Sequence, residues 1–237
     1  MIIPTSRYMT KKRTTLIACV LLLLCSCERY DIYYSSMFVS YYSNIASIHL
    51  LTEGGDCNVL QIGISATYYA SIADDDRTVI NQLAEKHNDT SYNKKIAYME
   101  GANWTVEGCT GWKQDFVRID ILSDADYDET HKAGTLLNDI VRLCSATPYP
   151  YIMSGYTKTF DWSTTEYTAR PECHLIDGLL SELRPEDLIM AGWPSSTCYA
   201  ELRFVKQPTI SKQHRLTVEM ESDDGHVYRS SLKVEFE

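Results

Sequence analysis

The sequence predicts a mainly β protein, an antiparallel β-sandwich of the immunoglobulin-like or a related type with short helical insertions. Three observations carry this prediction. Apolar and polar residues alternate with a period of two in several segments, which is the pattern of half-buried strands. Helical periodicity is confined to short segments. The C-terminal region has two alternating runs around Ser222-Asp223-Asp224-Gly225, which is typical of a hairpin with an Asp-Gly turn.

The predicted strands run from residue 30 to the C terminus. Aromatic and β-branched residues dominate the first of them, and strict alternation marks the third. The strands are expected at residues 30–40, 45–51, 59–69, 114–123 and 199–205, and in a closing hairpin of residues 216–220 and 227–236.

Helical spacing of apolar residues predicts three short helices, at residues 76–87, 135–144 and 184–190. In the third, Pro185 occupies a first-turn position, which proline tolerates because that N–H has no helical partner. In the second, Cys144 falls within the apolar pattern, so we expect it to be a buried free thiol.

The N terminus has the features of an export signal. Basic residues between Arg7 and Arg13 precede an apolar run over residues 16–24. This run is shorter than the roughly 20 residues that a transmembrane helix needs, so a secretory signal peptide fits better. We predict that residues 1–26 are the signal peptide and that residues 27–237 form a single lipid-anchored β-rich domain.

The predicted lipid attachment site is Cys27. The segment Leu24-Cys25-Ser26-Cys27 resembles a bacterial lipobox, with a small residue before the modified cysteine. Two alternatives remain open from the sequence. Cys25 could carry the lipid instead, or cleavage near Ala18 or Ser26 without lipidation could release a secreted domain.

Charge excludes one class of partner. The full chain has a formal net charge of −10, and removal of residues 1–26 takes away four basic residues and no acidic one, which gives −14. Nucleic-acid binding depends on clustered lysine and arginine that neutralise phosphates. We therefore predict no nucleic-acid partner, and the acidic surface is explained by solubility and mutual repulsion.

Five cysteines follow Cys27, and the absence of a CxxC spacing gives no metal-binding or redox pattern. In an exported chain they allow up to two disulfides and one remaining thiol. Cys173 and Cys198 flank a loop-rich stretch, so we predict that these two form a bridge.

An acidic loop follows the strand predicted at residues 114–123. Asp124, Asp126 and Asp128 have the spacing of the first three ligands of an EF-hand loop, so a calcium site is one hypothesis. The match fails at Glu129, where that loop needs glycine, and at Thr135, where it needs a bidentate glutamate. The alternative is a solvated acidic loop in which Thr135 caps the next helix.

A group of aromatic residues forms the second candidate site. Exposed tyrosine and tryptophan rings can stack on sugars or contact a protein partner. The same rings can equally pack inside a sandwich. The candidates for ligand contact are Tyr149, Tyr151, Tyr156, Phe160 and Trp162.

The sequence contains no motif for catalysis. HExxH, GxSxG and a glycine-rich phosphate loop are all absent, and the six histidines are scattered without ligand spacing. Cys173 and His174 are adjacent, but neighbours in sequence rarely face each other productively. We therefore predict no catalytic residue, no cofactor and no enzyme activity, with a lipid-anchored hydrolase as the less favoured alternative.

Taken together, the lipobox, the extended first strand, the segment of residues 123–139 and the Asp224-Gly225 hairpin resemble uncharacterised lipoproteins of Bacteroidota. The resemblance implies a cell-envelope location and a β-rich fold, and it assigns no catalytic residue. We expect a protein that is lipid-anchored at the outer membrane, on the cell surface or the periplasmic face, and that binds or scaffolds. A glycan-binding surface module and an accessory subunit that contacts another envelope protein are the alternatives.

Overall fold

The computed structural model describes residues 30–53, 56–99, 109–192 and 200–237. The protein is mainly β, with antiparallel-rich sheets and short helices, as the sequence predicted. The predicted signal peptide and Cys27 lie outside these residues. The strands are β1 Tyr30–Ser35, β2 Val39–Glu53, β3 Asp56–Ser71, β4 Lys94–Met99, β5 Cys109–Trp112, β6 Phe116–Ser123, β7 Val141–Thr147, β8 His174–Leu179, β9 Ala200–Phe204, β10 Gln213–Ser222 and β11 Val227–Glu235.

The largest sheet has the strand order β5-β2-β3-β9-β7-β8. Its centre is the long antiparallel hairpin of β2 and β3, paired from Tyr41 opposite Ser71 to Glu53 opposite Asp56. β5 joins β2 in parallel, and the other pairings of this sheet are antiparallel. β1 and β4 form a separate antiparallel pair.

The second layer is a three-stranded antiparallel sheet with the order β11-β10-β6. In β10, Leu216, Val218 and Met220 are buried while the residues between them are more exposed, which is the alternation that predicted this strand. Gly225 in the turn has φ of +80°, a conformation that glycine adopts without steric cost. The predicted C-terminal hairpin is thereby confirmed.

The main hydrophobic core lies between these two sheets. Leu60, Leu143 and Leu202 of the large sheet belong to the same buried cluster as Ile121 and Val218 of the small sheet. The small sheet also lies against β2 through β11. Burial of each such side chain contributes about 1.5–3 kcal/mol, so this shared core is what holds the two layers together.

A second core covers the other end of the β2–β3 hairpin. Helix α1 (Thr78–Lys86) buries Ile80, Leu83 and Ala84, whose spacing places them on one face of the helix. These residues pack in a cluster with Phe38 and Tyr42. Helix α2 (Tyr149–Met153) contributes to the same cluster, which gives the large sheet a helical cover where the small sheet does not reach.

The helix predicted at residues 135–144 is wrong. Residues 135–140 are irregular, and β7 begins at Val141. From Cys144 to Thr147 every residue is buried, so this strand lacks the alternation of a half-buried strand and its apolar run resembles a helix. Thr135 consequently does not cap a helix, and its hydroxyl donates to the Lys132 carbonyl at 2.7 Å.

The other predicted elements are found with shifted limits. Residues 76–87 contain α1, and residues 184–190 contain only a short 3₁₀ helix, Pro185–Leu188, which begins at the proline as expected. The strand predicted at residues 30–40 is divided, because β1 ends at Ser35 and β2 begins at Val39. Within the described parts of the chain, no helix is long and apolar enough to cross a membrane.

Candidate functional site

The aromatic residues proposed for ligand contact are part of the second core. Tyr151 and Trp162 are 4 % and 7 % exposed, and Tyr149, Tyr156 and Phe160 are partly buried against the same cluster. The Trp162 indole N–H is also satisfied internally, since Nε1 lies 2.9 Å from the Cys173 carbonyl oxygen. The five rings therefore pack within the protein and do not form an open stacking surface.

Tyr156 has an additional structural contact with a buried carboxylate. Its hydroxyl donates to Oδ1 of Asp89 at 2.9 Å. Asp89 is fully buried and also accepts the backbone N–H groups of Phe38 and Val39, each at 2.7 Å. Burial and the neighbouring Asp89 raise the pKa of Tyr156 to about 12. Asp89 thus fastens the start of β2 to the chain after α1.

The carboxylates of the acidic loop are each engaged with separate backbone groups. Asp124 accepts the Arg215 N–H at 2.6 Å, Asp126 accepts the Ala133 N–H at 2.9 Å, and Asp128 accepts the N–H of His131 at 2.8 Å. Over the described ranges, no group of three or more acidic, histidine or cysteine side chains is arranged to hold a metal ion. The three aspartates shape the loop and do not converge on one point.

The side chain of His131 connects two aspartates of this segment. Its Nδ1 lies 2.8 Å from Asp128 Oδ1 and its Nε2 lies 2.9 Å from Asp139 Oδ1. Burial opposes protonation of the ring, but the hydrogen bonds and negative charges of both aspartates outweigh it and raise the pKa of His131. His131 therefore forms ion pairs with Asp128 and Asp139, of which the Asp139 side chain is largely exposed.

The cysteines have different environments. Cys144 is a buried free thiol, as predicted, and burial raises its pKa. Cys173 is buried in the second core, and His174 is buried with its Nε2 donating to the Lys158 carbonyl at 3.0 Å. Both side chains are therefore shielded from substrate. Cys198 lies outside the described residues, so the Cys173–Cys198 bridge stays a prediction.

A polar network that the sequence reasoning missed lies where α1 meets β6 and the β10–β11 turn. Asp115 is its centre, since its Oδ2 lies 2.7 Å from Lys86 Nζ and 3.0 Å from His87 Nε2. Its Oδ1 accepts the Met190 N–H at 3.0 Å. The other ring nitrogen of His87 lies 3.2 Å from the Tyr42 hydroxyl.

The charges in this network stabilise each other. Burial alone would raise the pKa of Asp115, but the hydrogen bonds and positive charges of His87 and Lys86 outweigh it and lower the pKa to about 2. Lys86 also contacts Asp223 Oδ2 at 2.8 Å, and the two carboxylates raise its pKa against the effect of burial. The result is a fixed lysine held between two aspartates at the protein surface.

Beside this network a cleft of about 280 Å³ opens to solvent. One wall is Tyr69, which is 37 % exposed and has the Lys113 ammonium 4.9 Å from its ring centre. The lining also includes Gln82 of α1 and the turn residues Asp223 and Asp224. An exposed ring beside an amide and two carboxylates can stack on a ligand and hydrogen-bond to it.

The sequence contains the parts of this cleft but gives no indication that they meet. Tyr69 ends a strand pattern, Gln82 lies on the polar face of a predicted helix, and Asp223 belongs to a hairpin turn. Comparisons with protein-family models, curated proteins and solved structures found no match for this chain.

Proposed function

We propose that this protein is a cell-envelope lipoprotein, anchored at the outer membrane through Cys27 and similar to Bacteroidota lipoproteins, that acts by binding and not by catalysis. The anchor is supported by the short apolar segment that ends at Ser26-Cys27. Several acyl chains on one cysteine give durable attachment, because each buried methylene contributes about 0.8 kcal/mol. β1 begins at Tyr30, so little chain separates the domain from the lipid.

The observation that carries the binding role is the cleft beside Tyr69. Its volume of about 280 Å³ is slightly below that of typical small-molecule sites, which span roughly 300–1,000 Å³. A single sugar ring suits this size. The Lys113 ammonium lies over one face of the Tyr69 ring, and the exposed remainder of the ring offers a surface for the C–H groups of a sugar. Gln82 and Asp223 offer hydrogen-bonding groups for its hydroxyls. The favoured ligand is therefore a saccharide.

The proposed saccharide site at Tyr69 differs from the aromatic group around Trp162 that the sequence suggested. Trp162 and its neighbours are occupied by packing, whereas Tyr69 is exposed at the mouth of a cleft. Rigid aromatic side chains contribute contact area at low entropic cost. Tyr69 lies in β3 at a bulge between the Ser43–Tyr68 and Tyr42–Ala70 pairs.

The binding test uses the full-length lipidated protein, extracted in detergent and screened on an array of bacterial and host glycans. Tyr69→Ala is expected to remove the signals, and Tyr34→Ala, a change at a 70 % exposed tyrosine, is expected to retain them. Saccharide binding that survives Tyr69→Ala, or no saccharide binding by the wild type, would contradict this site.

The anchor has its own test in cells fed an alkyne-labelled fatty acid. Wild-type protein and the Cys25→Ala variant are expected to incorporate the label, and Cys27→Ala is expected to lose it. Label on Cys27→Ala would assign the lipid elsewhere. Protease treatment of intact and lysed cells then separates a surface location from a periplasmic one.

The non-enzymatic role is supported by the burial of the groups that resemble a catalytic set. His87 is 1 % exposed and Asp115 is 7 % exposed, and both side chains form hydrogen bonds within the protein. A nucleophile or general base must reach its substrate within hydrogen-bond distance. We therefore assign this network to holding the cleft in shape.

A further inference from the structure

Two basic residues lie directly opposite each other at one end of the small sheet. Arg215 of β10 pairs with Lys233 of β11 in the antiparallel register. Opposed residues project to the same face, with Cβ atoms roughly 4.5–5.5 Å apart. Both side chains are exposed, and in the parts of the chain that the structure describes neither forms an ion pair.

This arrangement differs from the rest of the same sheet face. Arg229 is paired with Glu219 at 2.7 Å, and Arg118 is paired with Glu221 at 2.7 Å. Like charges placed directly opposite destabilise a sheet. The other arginines of this sheet form ion pairs within it, whereas Arg215 and Lys233 form none among the described residues, although the carboxylates of Asp124 and Glu235 line the same cavity.

The pair lies in a cavity of about 530 Å³ between the sheet end and the acidic loop. Asp124 is the nearest loop carboxylate, but its Oδ1 is directed to the Arg215 backbone N–H at 2.6 Å, and its own N–H donates to the Arg215 carbonyl at 3.2 Å. The loop is thus tied to the Arg215 backbone. Gln213 and Glu235 complete the polar lining.

His214 belongs to the cavity lining, but its side chain is buried on the opposite face of β10 from that of Arg215. His214 has Nδ1 2.7 Å from Ser123 Oγ and Nε2 2.7 Å from the Ser211 carbonyl oxygen, so both ring nitrogens are engaged. Its ring is packed 5.2 Å from Tyr127 and 5.5 Å from Phe236, measured between ring centres. These contacts fix the backbone of β10 at the cavity, and a preorganised backbone lowers the entropic cost of binding at the sheet end.

We propose that this cavity binds a phosphate monoester carried on a small hydroxylated molecule. A phosphate monoester has a charge of about −1.5 to −2 near neutral pH, which matches two cations, whereas a carboxylate leaves one of them uncompensated. Arg215 provides the planar donor fork that suits phosphate oxygens, and Lys233 provides a second charge. The cavity is larger than one phosphate group, and Gln213 and Glu235 can pair with hydroxyls of the remainder.

The acidic loop acquires a role in this arrangement. Asp126 accepts the Ala133 N–H and Asp128 accepts the His131 N–H. The loop that these bonds shape supplies Asp124 and Ala125 to the cavity wall. The segment that resembles a calcium loop in sequence thus forms part of the wall of the proposed phosphate site.

The test is an NMR titration of the detergent-solubilised full chain at about pH 8, where phosphate monoesters are dianions. The probes are glucose 6-phosphate, inorganic phosphate, glucuronate and glucose, each at matched ionic strength. We expect saturable shifts of the Arg215 and Lys233 signals with both phosphates. Glucuronate is expected to bind at least about tenfold more weakly than glucose 6-phosphate, because its single charge leaves one cation unpaired.

Variants distinguish a built site from general attraction to positive charge. Arg215→Gln and Lys233→Gln are each expected to weaken binding of glucose 6-phosphate at least about tenfold, since a charged hydrogen bond is lost. Arg229→Gln removes the same charge from the same sheet face at a residue paired with Glu219, and it should leave the affinity within about twofold. The cavity is separate from the Tyr69 cleft, so Tyr69→Ala should also leave it unchanged.

The proposal is overturned by any of three results: no saturable shift with either phosphate, equal binding of glucose and glucose 6-phosphate, or equal loss of binding in Arg229→Gln and Lys233→Gln. The amide spectrum of each variant, recorded without ligand, verifies that the chain is folded before its affinity is compared.

Discussion

The ammonium nitrogen of Lys86 lies 2.7 Å from Oδ2 of Asp115, which joins helix α1 to the start of β6. The lysine side chain is 33 % exposed while that of Asp115 is only 9 % exposed. The pair therefore combines a partly exposed cation with a buried anion. Loss of Lys86 leaves the Asp115 carboxylate buried without this counter-ion, which is unfavourable.

Substitution of Lys86 by glutamine is expected to destabilise the protein by about 1–2 kcal/mol. This is less than the cost of breaking a fully buried pair, because water screens the exposed lysine and His87 still donates to Asp115. Urea unfolding monitored by tryptophan fluorescence measures the difference. Lys132→Gln, which removes an exposed pair with Asp126, is the control and should not change the midpoint measurably.

Acid should weaken the fold through Asp115. Its pKa is about 2 in the folded protein against an ordinary value of 3.8, so the folded state binds fewer protons than the unfolded chain between these values. Stability from this group is fully present above about pH 4 and is lost as the pH falls towards about 2. The shift corresponds to about 2 kcal/mol.

The check is unfolding by urea at a series of pH values for the wild type and Asp115→Asn. The variant is less stable at neutral pH, because it loses the charge paired with Lys86 and His87. Its stability should decline less steeply than that of the wild type between about pH 4 and about pH 2. Parallel curves for the two proteins would contradict the assignment.

Asp89 should be among the most sensitive single positions. Asp89→Ala leaves the N–H groups of Phe38 and Val39 buried without their acceptor, and hydrogen bonds to a charged group are worth about 1.5–3 kcal/mol each. We expect a loss of at least about 3 kcal/mol in the free energy of unfolding. Asp75→Ala, at an exposed position just before α1, should cost less than about 0.5 kcal/mol.

Trp162→Ala distinguishes packing from ligand contact. Because Trp162 is 7 % exposed within the second core, its removal should cost about 3–5 kcal/mol through lost burial and cavity formation. Thermal unfolding of the variant measures this, with Trp162→Phe as the partial replacement that recovers some stability. A fully stable Trp162→Ala variant would restore the hypothesis of an exposed aromatic contact.

Period-two alternation of apolar and polar residues predicted β3, β6, β9, β10 and β11. Burial alternates clearly in β10, whereas the first three residues of β9 are all buried and only its sequence alternates. The pattern failed for β7, which is buried throughout after Cys144, and for β5, which has four residues. Short length removes the repeats on which a periodic pattern depends, and burial on both faces removes the contrast.

The candidate sites were less predictable than the strands, because each site depends on which distant residues the fold brings together. The aromatic residues near Trp162 look the same in sequence whether they stack on a ligand or on each other. The opposition of Arg215 and Lys233 follows from the register of one hairpin, and a shift of one residue would place them on opposite faces. Tyr69 and Asp223 line the same cleft only because the two sheets and helix α1 pack together.

The cross-strand pair gives the last prediction, in which stability and binding change in opposite directions. Lys233→Glu replaces a repulsive opposition with an attractive one across from Arg215, so the free energy of unfolding should rise by roughly 0.2–1 kcal/mol at low salt. The same change should abolish binding of glucose 6-phosphate, because the anion then meets a carboxylate. Lys233→Gln should fall between the two in stability, since it removes the repulsion without adding attraction. Urea unfolding without ligand, at low and high salt, measures the effect, which salt should reduce. If Lys233→Glu is less stable than the wild type at low salt, the two side chains do not face each other as the register requires.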